Sequence, residues 1–167
     1  MEAFETIAKR RSIRKYKPGA VSKENLSKLV DAGRLAPTAN NVQPWEFVVV
    51  TEKEKLRQIA DLAEYGKFIA GVSACIVVLS QPTKYYIEDG SAATTQILLA
   101  ATAMGLGTCW VAGDKKDYAG RIVALCGAPA EFKLVSLVAV GHAAEVPNPS
   151  KRTLDDVLHW EIYRPAK

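Results

Sequence analysis

Histidine and cysteine are scarce in this chain. Its two imidazoles, His142 and His159, and its three thiols, Cys75, Cys109 and Cys126, form no Cys-x-x-Cys pair and put no two ligands on one helix face. That argues against a bound zinc ion, and no metal site is expected. The thiols are odd in number, and Cys75 and Cys126 have apolar surroundings, so they read as free core cysteines in a reducing compartment and point to a cytoplasmic location. No Ser/His/Asp set, metal cluster or paired carboxylate is present either. The N-terminus enters Glu2-Ala3-Phe4-Glu5-Thr6-Ile7 without the apolar run of a signal peptide. One uncharged stretch, Gly90 to Gly113, has the length of a bilayer span. Ser91, Thr94, Thr95, Gln96, Thr102 and Thr108 interrupt it, so it reads as a buried helix ending near Met104 followed by a strand, with no membrane partner. Gly105-Leu106-Gly107 is not a dinucleotide fingerprint, because its glycines follow a helix and the third position is Trp110.

What the chain does contain is ordinary for a globular protein. Its 167 residues, 49% hydrophobic and 24% charged, fit a single domain over residues 1–167. Much of the excess behind the net charge of +4 lies in residues 9–17, which reads as a local anion site more than a nucleic-acid surface. A short helix over 2–9 leads into that cluster. Ser22 is a good N-cap, Val21 and Leu26 have the hydrophobic-staple spacing, and Leu26, Leu29, Val30 and Gly33 continue an amphipathic helix that Pro37 stops. Strands are expected at Phe47–Val50, Ala74–Leu79, Thr108–Ala112 and Val135–Val140. Helices are expected over 52–63, opened by a Thr51/Glu54 capping box, then over 87–104, 117–125 and 153–158. The helix over 87–104 is apolar nearly all round, which suggests a subunit interface as much as a monomer core. Strands alternating with helices would by pattern alone suggest a parallel sheet.

Two segments carry the chemistry. Lys9-Arg10-Arg11-Ser12-Ile13-Arg14 is followed by Lys15 and Lys17. Arginine grips phosphate oxygens through a planar fork, lysine adds a point charge, and the serine hydroxyl adds a short donor. In an extended segment Arg10, Ser12 and Arg14 point the same way, which suits a phosphate monoester; a solvated basic arm is the plainer alternative. The second segment, Ala36-Pro37-Thr38-Ala39-Asn40-Asn41-Val42-Gln43-Pro44-Trp45, is rich in amides and bounded by prolines. Its mixed donors and acceptors suit the edge of a flat heterocycle, although turn chemistry would also account for it.

In this order and spacing the two segments resemble the nitroreductase family of flavin mononucleotide (FMN) enzymes. The likeness rests on Arg10-Arg11-Ser12-Ile13-Arg14 and Asn41-Val42-Gln43-Pro44-Trp45. It extends through Gly105-Leu106-Gly107-Thr108-Cys109-Trp110, Val138-Ala139-Val140-Gly141-His142, Lys151-Arg152 and His159-Trp160. The resemblance implies an α+β fold with a central mixed, mainly antiparallel sheet flanked by helices, and an intertwined homodimer with FMN at the subunit interface. It implies that Arg10, Arg11, Ser12 and Arg14 contact the FMN phosphate, ribityl chain and pyrimidine edge, with Arg14 as the electrostatic tuner of the flavin. Pro37, Thr38, Ala39 and Asn41 match the loop that lies against the flavin from the partner subunit. Trp110, Val111, Ala112 and Gly113 match the segment under the ring, and Lys151 and Arg152 the basic pair returning to the phosphate. Thr-Ala stands where many members carry Ser-Ser, and Ala112 where many carry an acid. Lys67, Tyr85, Tyr86 and Cys109 are further positions to locate near the flavin; Trp45 and Trp160 read as core or interface anchors, and His142 as a turn or packed residue.

Flavin enzymes leave electron transfer to the cofactor, which accounts for the missing nucleophiles. The function implied is a ping-pong oxidoreductase passing hydride from NAD(P)H through FMN to nitroaromatics, quinones or similar small electron-poor acceptors. Alternatives are a dedicated flavin reductase of an enone or halogenated substrate, a non-catalytic flavin-binding protein, and a basic nucleic-acid module. The last lacks the aromatics interleaved with cations that such a module needs.

Overall fold

The computed structural model describes residues 2–164. Its elements run α1 (Ala3–Lys9), β1 (Tyr16–Lys17), α2 (Lys23–Arg34), β2 (Trp45–Val50), α3 (Lys53–Leu62), β3 (Ala74–Ser80), α4 (Tyr86–Ala103), β4 (Gly107–Ala112), α5 (Ala119–Leu125) and β5 (Lys133–Ala143). The sheet is ordered β1-β5-β3-β2, with β4 also paired to β5, and every paired strand is antiparallel. A lone parallel bridge, Ser12 to Thr108, makes the sheet mixed. The fold is therefore α+β, and the parallel sheet suggested by strand and helix alternation does not form.

All seven residues of β3 are buried because both faces of the sheet are covered. Cys75, Val77 and Leu79 point into a core with α3 and α5, which supply Leu56, Ile59 and Ile122. Ala74, Ile76 and Val78 point into a second core with α2 and α4, which supply Leu26, Leu29 and Ile97. An unbroken apolar run marks a strand enclosed on both sides, whichever way its neighbours run.

Local signals explain two element ends. Ser22 caps α2 by accepting the Asn25 N–H (3.2 Å), and Val21 and Leu26 are both buried beside it. Helix α4 closes on Gly105 at φ +73°, with Gly105 N–H donating to Thr102 O (3.0 Å) and Leu106 N–H to Ala101 O (2.8 Å). That paired closure needs a left-handed residue, which is the role of this glycine. Two expectations are corrected. The Thr51/Glu54 capping box does not form: Glu52 is the N-cap of α3, without a side-chain cap bond, and Glu54 pairs with Arg57. Residues 153–158 make a turn, with Thr153 N–H donating to Asp156 Oδ2 and Asp156 N–H to Thr153 Oγ1, because these reciprocal bonds close it locally. Of the two tryptophans read as core or interface anchors, Trp45 packs with Ala36 and Ala93 in the core and Trp160 is 76% exposed.

Helix α4 seats tightly on β5. A Cβ at Gly90 would lie 2.6 Å from Val135 Cγ2, and Thr94 shares a buried hydroxyl contact with Ser136 at 2.8 Å. Alanine raises helix propensity by about 1 kcal/mol over glycine, but overpacking a rigid β-branched neighbour costs about 1–3 kcal/mol. Gly90→Ala is therefore expected to lower stability by about 1 kcal/mol, read as a reduced urea midpoint at unchanged slope.

Candidate functional site

The basic segment leaves α1 at Arg10 and runs beside the start of β4. Ile13 N–H donates to Thr108 O (2.8 Å), and Ile13 is buried. Downstream, Tyr16 donates its hydroxyl to Ile13 O (2.6 Å) and stacks on Phe68, while Glu145 Oε1 accepts the N–H groups of Arg14 (2.7 Å) and Lys15 (3.0 Å). The backbone from Ile13 to Tyr16 is thus held by β4, an aromatic pair and a carboxylate.

Arg10, Arg11, Ser12 and Arg14 line one cavity of about 590 Å³ with Pro147, Asn148, Pro149 and Lys151. Among the described residues no carboxylate lines it. Arg11 is turned inward, donating to Ala8 O (2.6 Å), Arg10 O (2.8 Å) and Asn148 Oδ1 (3.2 Å), so it ties the 147–149 loop to the cluster. Arg152 lies outside the cavity lining and donates to Asp156 O. The Ser12 hydroxyl meets the Cys109 thiol; burial pushes that thiol up, and Arg14, Ser12 and Arg10 oppose the shift. Burial also raises Cys75, so neither of these buried thiols is primed as a nucleophile.

Strand β4 presents a particular edge. Thr108 O is turned away from β5 toward Ile13, and in an antiparallel ladder alternate residues share that direction. The N–H and C=O groups of Trp110 and Ala112 therefore face the open side as well. There the Tyr118 hydroxyl donates to Ala112 O, leaving the Ala112 N–H, while Trp110 presents both its N–H and its C=O. Gly113 is small for a different reason: a Cβ there would lie 2.7 Å from both Leu134 Cγ and Leu134 O, so β5 requires the glycine. Val111 is buried in the core while Ala112 is exposed. Just beyond, the Tyr86 hydroxyl donates to Asp114 Oδ1 (2.6 Å), and this bond, more than burial, pushes the phenol up to about 12.

The amide loop stands elsewhere. Ala39–Asn41 form a 3-10 turn, and Asn40, Asn41 and Gln43 all adopt left-handed backbone at φ 52°, 54° and 51°. Gln43 N–H donates to Thr38 Oγ1 (3.2 Å), and Ala39 N–H to Asp89 Oδ1 (3.0 Å) in the first turns of α4. Pro37 and Asn41 are exposed, Thr38 and Ala39 half-buried. The basic cluster lies at the other end of α4, where Leu106 bonds Ala101 and Ser12 bridges Thr108. Twelve residues from Asp89 to Ala101, at about 1.5 Å each, separate them by about 18 Å of helix. The structure thus gathers Arg10, Arg11, Ser12, Arg14 and Lys151 around the β4 edge but leaves Pro37, Thr38, Ala39 and Asn41 of the same chain far away. Lys67 is exposed and donates to Asp61 O (3.0 Å), and Tyr85 is 41% exposed beneath the Lys84 ammonium. His142 is exposed, with its ring nitrogen 3.3 Å from Ala20 O. Asp89, Tyr118 and Glu145 were not singled out from sequence. An acid in a first helical turn, a tyrosine before a helix and a glutamate in a tail carry no local signal of the distant backbone groups they hold.

The fold is thus a layered α+β architecture with a cationic cavity beside a strand edge that presents backbone N–H groups. The model of the Nitroreductase family matches residues 7–74 and 75–142, and the chain belongs to that family. A protein of Archaeoglobus fulgidus, provisionally named NADH dehydrogenase/NAD(P)H nitroreductase, is 36% identical over 148 residues, covering 84% of this chain and 85% of the relative. A crystal structure from Bacteroides thetaiotaomicron with the same provisional name superposes at TM-score 0.91 with 30% identity, covering 96% of this chain and 98% of that one. A provisionally named nitroreductase of Desulfovibrio desulfuricans in complex with FMN superposes at 0.86 with 28% identity, covering 98% and 99%.

The Glu145 clamp is testable by pH. Its carboxyl is held below the usual range, first by the Arg14 N–H and then by the Lys15 N–H and the nearby cations. A depressed folded value stabilises above the unfolded one, so the clamp should be complete above about pH 4.5 and lost as pH falls through the lower folded value. Amide chemical shifts of Arg14 and Lys15 should move in that acid window and be flat through it in Glu145→Ala.

Proposed function

We propose that the chain is an FMN-dependent NAD(P)H oxidoreductase, one domain over residues 1–167, acting as a cytoplasmic homodimer with FMN between subunits. The observation that carries the reading is the cavity of Arg10, Ser12, Arg14 and Lys151, free of lining carboxylates and set against the open edge of β4. These residues fit a phosphate followed by a flat heterocycle: three cations and a hydroxyl at one end, backbone donors at the other. Thr108 adds a buried hydroxyl with no partner among the described residues, directly beside Ser12.

Each side chain then has a task. Arg10, Ser12 and Lys151 bind the phosphate, with Arg152 near by, and Arg11 holds the loop that frames it. Arg14 sets a cation where negative charge accumulates on reduction, an electrostatic role strongest in a dry site. Trp110 and Ala112 offer backbone N–H groups along the ring, over Val111 and Gly113. Pro37, Thr38, Ala39 and Asn41 come from the other subunit, since their own chain holds them about 18 Å along α4 from its cluster. Exposed apolar residues at both ends of the chain, Phe4 at 88%, Leu154 at 68% and Ile162 at 62%, support burial against a second copy. When bound, FMN supplies two-electron hydride chemistry, receiving from NAD(P)H and giving to a nitroaromatic, quinone or similar acceptor in a ping-pong cycle. The chain adds no acid or nucleophile of its own.

A charged hydrogen bond contributes about 1.5–3 kcal/mol, so Arg10→Ala and Lys151→Ala should each weaken FMN affinity roughly 10- to 150-fold with the fold intact. Fluorescence titration of FMN checks this, and wild-type affinity in both variants contradicts the phosphate assignment. The purified wild-type protein should show a two-band flavin spectrum that bleaches under anaerobic NADH or NADPH. A flavin that stays oxidised with both points to a binding protein without turnover.

A further inference from the structure

We infer that Asp89 is the positioning residue of the amide loop, its carboxylate presetting residues 38–43 for the flavin of the other subunit. The inference rests on the FMN reading above and adds a residue to it. An acid in the first turns of a helix ordinarily faces water and complements the helix dipole. Asp89 does not: it is 5% exposed, packed where α4 meets the loop. A buried carboxylate is costly unless it is hydrogen-bonded, and its Oδ1 accepts the N–H of Ala39, fifty residues earlier in the chain, at 3.0 Å.

The loop needs such a hold. Three of the four residues after Ala39 have left-handed backbone, and none is glycine. Asparagine tolerates this region, but Gln43, immediately before Pro44, has no such excuse. Strained backbone of this kind persists where surrounding structure over-determines it. Two anchors flank the strained residues. Asp89 takes Ala39 at the start, and Pro44 O accepts Gln81 N–H (2.9 Å) at the end. Between the anchors Asn40, Asn41, Val42 and Gln43 are exposed, and the Gln43 side-chain amide donates back to Asn41 O (3.4 Å). A preset loop binds more tightly than one that must be ordered on contact.

The test uses Asp89→Ala and Asp89→Asn in the full chain. Asparagine keeps an oxygen acceptor for Ala39; alanine removes it. In the FMN-free protein, Asp89→Ala should speed hydrogen exchange at residues 39–43 while β3 and β5 keep wild-type protection. Its dissociation constant for FMN should rise about tenfold or more, and Asp89→Asn should recover most of both losses. Unchanged loop exchange with unchanged FMN affinity in Asp89→Ala overturns the inference, as does loss of protection throughout β3 and β5 in both variants. Ala39→Pro covers the case in which Asp89→Ala does not fold. Thr38 is already extended at ψ 155°, as a residue before proline requires, so this change removes the N–H and sets the ring Cδ against Asp89 Oδ1, breaking the pin from the loop side. It should weaken FMN as Asp89→Ala would, and wild-type affinity overturns the proposal. Loop exchange is read without FMN, so it decides the pin even where FMN uptake fails and with it the functional reading.

Discussion

The approach of α4 to β5 at Gly90 leaves no space for a methyl group, and the Thr94–Ser136 contact one turn on fixes the register of helix on strand. From that seat α4 runs antiparallel to β4, which pairs with the other edge of the same β5. One end of the helix therefore carries the amide loop through Asp89, and the other delivers the Gly105–Thr108 turn to which Ser12 and Ile13 attach. The length of α4 is thus the ruler that keeps the two recognition segments of a chain apart. That separation, like the exposed apolar residues at both ends of the chain, is what supports the proposed site shared between two copies.

The cation cavity and the β4 edge work on the same principle, which is to dispose of competing acceptors. Ile13 takes the Thr108 carbonyl, Tyr118 takes that of Ala112, and Glu145 is occupied by the backbone N–H groups of Arg14 and Lys15. Donors and cations therefore outnumber acceptors on the open side, where the Trp110 carbonyl meets only the Cys109 thiol at 3.8 Å. Such a surface suits an anionic, acceptor-rich partner and repels little of it. Preorganised donors of this kind act without reorganising as charge develops, which is how a protein with no nucleophile contributes to redox chemistry.

Much of this was legible from local pattern. Ser22 signals its helix because cap and N–H lie three residues apart, and β3 signals burial because every residue is apolar. Arg10, Arg11, Ser12 and Arg14 announce a cationic cavity because they are close neighbours in the chain. Sheet direction was not legible from alternation, since crossover and hairpin connections leave similar periodicity; the family resemblance supplied it. Thr51 and Glu54 have the capping spacing, yet Glu54 finds Arg57 on its own helix face. Gly113 was matched only to a segment of the family, and the reason it lacks a side chain, Leu134 of β5 at 2.7 Å from a Cβ there, shows only in the fold. Asp89, Tyr118 and the two-residue β1 depend on partners 50, 6 and 126 residues or so away, in directions only the folded chain defines.

The central claim, a flavin held between two chains, is tested most directly by subunit complementation. One chain would carry Arg10→Ala with Arg14→Ala, the other Thr38→Ala with Asn41→Gly. Purified singly, each should be colourless at low micromolar concentration. Co-expressed with different tags, mixed dimers should hold one intact site each, restoring about a quarter of wild-type FMN across a random population of dimers. Mixed dimers that form but hold no more FMN than either parent contradict the account, because each chain would then be building its own complete site.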